Sequence, residues 1–237
     1  MNSSRGFTLV EIAVALAIIA LLSVGAIGAL QMAIMRTRIA ETREALQAAR
    51  EAVTAYAVAN RSLPCPAAAG ADGLEQSRAG GSCTTTRGLL PWATLGVRGV
   101  DGWGNRIGYM VSPALVKAPA DRIRLENTGD IQIVLRDAAG NEISAATSAA
   151  VAFALWSHGQ NGRGATTLAD TLVADDSTTN SDEDANTSQA DASAARRLYA
   201  REGSTSSATA GGEFDDMVEW ESRFVLFGRM ITAGQLP

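Results

Sequence analysis

From Ile12 to Met35 the chain runs 24 residues without a charge, broken only by the mildly polar Ser23 and Gln31. As a helix this run reaches about 36 Å, enough for a bilayer core of about 30 Å. A secretory signal has an apolar region of only about 7 to 15 residues ahead of its cleavage site, so this run is expected to stay in the mature protein. Past Met35 the pattern becomes a stripe. Ile39, Thr42, Leu46, Ala49, Val53 and Tyr56 recur at steps of three and four, with Glu41, Arg43, Glu44, Gln47, Arg50 and Glu51 between them. Such spacing predicts one buried face on a continuing helix. No Gly or Pro falls between Leu30 and Leu63, so a single helix from Phe7 to about Asn60 is expected, about 80 Å long. The stripe is shorter than three heptads, which favours packing on a sheet over a coiled-coil seam.

Leu63-Pro64-Cys65-Pro66 ends the helix, because neither proline can donate a backbone hydrogen bond. Strand candidates follow at Ile107 to Val111, Arg122 to Glu126, Ile131 to Arg136, Val151 to Trp156 and Phe214 to Trp220. Asp137 to Asn141 reads as a hairpin-type turn, and Asp101-Gly102 and Gly104-Asn105 as turns around Trp103, which is expected to plug the apolar face between helix and sheet. Ser222 can cap a short helix through Ala233, with Phe224, Phe227 and Ile231 on one face and Gly234 as its stop. The fold class is therefore α+β: a long N-terminal helix, membrane-spanning in its first half, packed on an antiparallel β-sheet, with a short C-terminal helix.

What precedes the apolar run is short, polar and basic, and then Phe7-Thr8-Leu9-Val10-Glu11 puts one carboxylate at its edge. Gly6-Phe7-Thr8-Leu9-Val10-Glu11, with Arg5 before it and an apolar helix after it, resembles the processing site of type IV prepilins and type II secretion pseudopilins. The resemblance implies a pilin-like subunit of a type II secretion or type IV pilus-like filament, cut after Gly6 by prepilin peptidase and methylated at the new N-terminus, Phe7. It also implies partners: other pilin or pseudopilin subunits, an inner-membrane assembly platform and the lipid bilayer. The protein would sit in the bacterial inner membrane with one span and a periplasmic C-terminal domain, or in a filament. Glu11 would meet the terminal ammonium of a neighbouring subunit. An ionised carboxylate near hydrocarbon costs about 2.5 to 3.5 kcal/mol, so such a partner would offset it; the alternative is a plain anchor with Glu11 among headgroups. Family helices often carry a proline, whereas this one offers Gly25 and Gly28. The segments Gly88 to Trp92 and Asp101 to Tyr109 are similar to the loop and first-strand entry of pseudopilin globular domains.

The expected division is a leader over 1–6, an assembly helix over 7–35, its soluble half over 36–62, and a globular domain over 63–237 with an acidic flexible insertion at about 166–213. Charge supports the insertion. The chain of 237 residues carries a net charge of -5, yet residues 165–216 hold 11 acids and 3 arginines. The remainder has 14 acids and 17 bases, so the acidity is local; the overall 25 acids against 20 bases give no general attraction for polyphosphate, and no nucleic-acid partner is expected. If the domain lies outside the cytoplasm, Cys65 and Cys83 are expected to pair; the alternative is two reduced thiols too far apart.

One histidine, His158, and two cysteines leave few ligands for a transition metal. Ser157-His158-Gly159-Gln160-Asn161-Gly162 is read as a turn, because a serine triad needs a histidine contributed from elsewhere, and enzyme activity is not expected. The motif requires no cofactor. Calcium is the candidate ion, at Asp175, Asp176, Asp182 and Asp184. Asp182-x-Asp184-x-Asn186 starts like an EF-hand loop but has Thr187 at the glycine position and Ser193 at the bidentate one. A solvated insertion is the other reading. The alternative function is a membrane-anchored periplasmic binding module that does not polymerise.

Overall fold

The structure is a computed structural model that describes residues 6, 8–67, 70, 72–118, 121–187 and 196–236, with the side chains of 22, 24–26 and 79 left out. Helix α1 runs over Leu9–Asn60, as the unbroken sequence predicts. Thr8 begins it with a capping box, and Arg61 ends it in the left-handed conformation (φ 56°). Thr42, Leu46, Ala49, Val53 and Ala57 are buried on it, which is the stripe read from the sequence. Among the described side chains of the preceding half none is buried: Leu9, Leu16, Leu21, Ile27 and Met32 are all more than half exposed. Among the described residues no helix is long and apolar enough to cross a membrane; the side chains outside the description fall in the middle of the uncharged run.

A hairpin of β1 (Arg78–Ala79) and β2 (Ser82–Cys83) follows. After it come β3 (Arg87–Leu89), the single turn α2 (Trp92–Leu95) and β4 (Gly108–Val111). Next are β5 (Gln132–Arg136), β6 (Glu142–Ala146), β7 (Val151–Ser157), α3 (Ser181–Asn186), β8 (Arg197–Tyr199), β9 (Met217–Ser222) and α4 (Arg223–Thr232). The main sheet is antiparallel in the order β3-β4-β7-β9. A second sheet has the order β6-β5-β8, with β5 and β8 parallel.

The period of two along β4 and β7 explains the layers. Tyr109, Val111, Phe153 and Leu155 face one core with Leu46 and Val53 of α1 and Leu226 and Met230 of α4. Met110, Ala154 and Trp156 face the opposite way, against Ile131, Ile133 and Leu198 of the second sheet. Both faces are covered, which is why every residue of β4 and β7 is buried. The helix-on-antiparallel-sheet architecture with a short terminal helix is the one expected from sequence.

Several details differ. Arg122 to Glu126 is not a strand: Ile123 is buried and its N–H donates to Arg61 O (2.9 Å), while Leu125 is exposed, so the segment seals the end of α1. The strand expected at Phe214 begins at Met217. Trp103 is only partly buried and belongs to neither large core; Trp156 is the core tryptophan. The turn around Trp103 meets α1 through backbone instead. Gly102 N–H donates to Thr42 Oγ1 (2.9 Å), and a Cβ at Gly102 would overlap Arg38 O. On α4, Ser222 caps as expected, its hydroxyl accepting from Phe224 N (3.2 Å). The buried face is Leu226, Phe227 and Met230, with Phe224 and Ile231 exposed. In the acidic segment, read as a flexible insertion, the described residues build α3 and β8 and bury Asn180, Asp182, Glu183 and Asn186.

Cys65 and Cys83 form a disulfide with Cα atoms 5.5 Å apart, closing a loop of sequence separation 18. Arg78 reinforces it from inside the loop, donating to Ser62 Oγ (2.7 Å) and to Leu63 O (3.2 Å) and pairing with Glu75 (2.7 Å).

Candidate functional site

Two places in the molecule concentrate chemistry that the fold does not need: the start of α1 and a buried acidic cluster.

At the start of α1, Thr8 N–H and Thr8 Oγ1 both donate to Glu11 Oε2 (3.0 Å each), and Glu11 N–H donates to Thr8 Oγ1 (3.3 Å). The reciprocal pair satisfies two of the backbone donors that every helix N-terminus leaves over, and sets a negative charge where the helix dipole is positive. Glu11 therefore has a local role before any neighbour arrives. Gly6 is exposed, and a Cβ there would meet nothing within 4 Å. The fold makes no demand for glycine at that position. Phe7, the expected site of cleavage and methylation, lies outside the described residues. Gly28 likewise has open space where a Cβ would stand.

The acidic cluster joins α3 to the entry of β9. Glu183, Asp215 and Asp216 each bring a carboxylate oxygen within 4.8 Å of the others. Asparagines hold them: Glu183 accepts from Asp215 N–H (2.8 Å), Asn161 Nδ2 (3.1 Å) and Asn180 Nδ2 (3.1 Å), and Asp216 Oδ2 accepts from Asn186 Nδ2 (2.9 Å). Burial pushes Asp215 up to about 6, with Asn161 N–H opposing and the charge on Glu183 reinforcing. Asp216, fully buried, is driven well above the usual carboxylate range by burial and then by Glu183. Asn180 Oδ1 and Asp215 Oδ1 are buried without a partner.

His158 borders the cluster, with Nδ1 3.9 Å from Asp216 Oδ1. Burial, then the charge on Arg87, hold it down to about 4. Trp156 Nε1–H donates to its Nε2 (3.2 Å), so the neutral ring carries its hydrogen on Nδ1 and presents no nitrogen lone pair to the acids. Only oxygen donors remain, a set that suits hard cations such as calcium or magnesium.

Of the four aspartates read from sequence as calcium ligands, Asp175 and Asp184 meet, while Asp176 and Asp182 are taken up by separate arginines. Asp182 is 1% exposed and bound by Arg136 (2.6 Å) and Arg201 (2.7 Å). Asp176 is exposed and pairs with Arg163 (3.0 Å). Asp175 accepts from Ser177 N–H (3.0 Å) and Asn180 Nδ2 (3.0 Å). Burial and then a hydrogen bond with Asp175 push Asp184 up to about 6. Glu183, one residue from two of the named positions, faces inward instead, and its companions come from more than 30 residues further on. This cluster was missed from sequence; its one local trace is the adjacent pair Asp215-Asp216 just before β9, which does not name Glu183 as a companion.

A model of the prokaryotic N-terminal methylation motif matches residues 1–27. Searches of curated proteins and of solved structures find no match. The motif marks a prepilin-type substrate of the processing peptidase and an assembly partner of other pilin subunits, in a family whose role is structural. Motif and architecture together support a type IV pilin-like, pseudopilin protein, the matched motif covering the first 27 residues.

Proposed function

We propose that the protein is a filament subunit, a pseudopilin or minor pilin of a type II secretion or type IV pilus-like machine. In this reading it is cut between Gly6 and Phe7, methylated at Phe7, stored in the inner membrane through the run Ile12 to Met35, and transferred into a bundle of like helices on an assembly platform. The observation that carries it is the contrast within α1: a capped apolar rod whose described side chains are not buried, continuous with a half that packs on the sheet. Exposed apolar surface on that scale calls for lipid or other helices. Open space at Gly6 and Gly28 supports demands from outside the chain, a protease at the first and close helix approach at the second. Mass spectrometry of membranes from peptidase-competent cells tests it. The expected N-terminus is methylated Phe7; an intact Met1 terminus favours the anchored, non-polymerising binding module.

A bound calcium ion at Glu183, Asp215 and Asp216 is the second part of the reading, supported by the oxygen-only donors and the unpartnered Asn180 Oδ1. At a free concentration of a hundred times Kd it would stabilise the domain by about 2.7 kcal/mol. Unfolding midpoints that are identical with calcium and with chelator remove it.

A further inference from the structure

Between α1 and the outer edge of β9 lies a groove of about 520 Å³. Arg43, Gln47 and Arg50 form one wall, Met217 to Glu219 the other, and Leu46 lies at its base. Among the described residues β9 pairs only with β7, so its other edge presents open backbone donors and acceptors. Arg43 pairs with no carboxylate among the described residues, and Arg50, which meets Glu219 at 3.3 Å, keeps a buried Nε without an acceptor. The groove holds three arginines, Arg43, Arg50 and Arg201, against two carboxylates, Asp216 and Glu219, and of the three only Arg43 has no carboxylate partner among the described residues.

A surface of the opposite kind stands elsewhere on the same chain. Residues 165–173 fold back on themselves through Val173 N–H to Ala165 O (2.8 Å) and Thr167 N–H to Thr171 O (2.9 Å). The tip exposes Leu168 (58%) and Leu172 (45%) beside Asp170, which has φ 55° and pairs with no cation among the described residues. This tip is fastened next to the entry of β4, by the bridge between Asn105 and Thr167 and by Arg106 Nη2–H to Leu168 O (3.4 Å). In the order β3-β4-β7-β9, strand β7 separates that place from the groove.

We propose that the hairpin tip of a second copy seats in this groove, with Asp170 meeting Arg43 and the two leucines resting on Met217 and Val218. Donor and acceptor surfaces are different patches of one chain, so a head-to-tail contact between copies is heterologous and, where its rotation does not close a ring, propagates as an open helix. The inference rests on the filament reading above and supplies it with a contact between globular domains.

The test uses full-length chains in processing-competent cells. The native cysteines are bonded to each other, so Arg43→Cys in one copy and Asp170→Cys in another introduce one thiol each. Mild oxidation of mixed filaments should yield a 43–170 cross-linked pair, and Arg43→Cys with Phe224→Cys should not. Arg43→Asp or Asp170→Arg alone should lower incorporation about tenfold, and the two together should restore most of it, as for a close interfacial charge pair. Filaments that form without the cross-link, a cross-link to a different subunit, or a double exchange without recovery overturn the contact and leave the filament reading standing. If native chains make no filament, both fall together.

Discussion

The two halves of α1 share one continuous backbone, yet differ in charge and in what covers them. Leu46 and Val53 are sealed in a core with Phe153, Leu155 and Met230, while Leu21 and Ile27 are more than half exposed. An apolar residue in the second half reports on the stability of the domain; one in the first half reports on the surroundings. The difference shows that hydrophobicity alone does not say where a core is, and that charges at positions such as Glu41, Arg43 and Glu44 do, by marking the side that faces water.

That contrast is broken most directly by truncating one leucine in each half. Leu46→Ala should cost about 2 to 5 kcal/mol of unfolding free energy in denaturant, the range for a buried leucine. Leu21→Ala should leave the same measurement within about 0.5 kcal/mol. Glu11→Ala should reduce recovery in filaments on the order of a hundredfold, the scale set by about 2.5 to 3.5 kcal/mol for an intramembrane carboxylate, without lowering the unfolding midpoint of the domain. Normal incorporation of that variant would leave the paired-charge role unsupported. Cys65→Ser with Cys83→Ser should destabilise the domain by about 3 kcal/mol from loop closure, with a reduced but still cooperative transition because Arg78 still ties the loop. Thr8→Ala should have the smallest effect, about 1 kcal/mol of local helix stability, seen as faster amide exchange over the first turn and no change at Val53.

Much of the fold was legible because its signals are local. The stripe on α1, the prolines after it, the alternation in β4 and β7 and the cap at Ser222 each lie in a few consecutive residues. The misreadings have physical causes. Arg122 to Glu126 alternates like a strand, but its one buried residue, Ile123, bonds to the end of a helix. The face of α4 was misjudged because Phe224 counts as apolar while its ring lies under the Arg223 guanidinium (4.6 Å), near solvent. β8 has three residues, two of them polar or amphipathic, and α3 has no apolar face; both are fixed by partners distant in sequence, as when Asn186 binds Tyr199 through both its backbone N–H (2.7 Å) and its C=O (2.9 Å). The acidic cluster was illegible for the same reason. Its members are ordinary surface residues until α3 folds under the loop before β9.

The capping box also bears on maturation. Thr8 and Glu11 both lie on the retained side of the bond after Gly6, so excising the leader in the proposed step removes no hydrogen bond that starts the rod. That proposed step puts a cationic terminus one residue from the cap while the bonds between Thr8 and Glu11 stand. The message a neighbour would read from it is a new positive charge beside an intact cap.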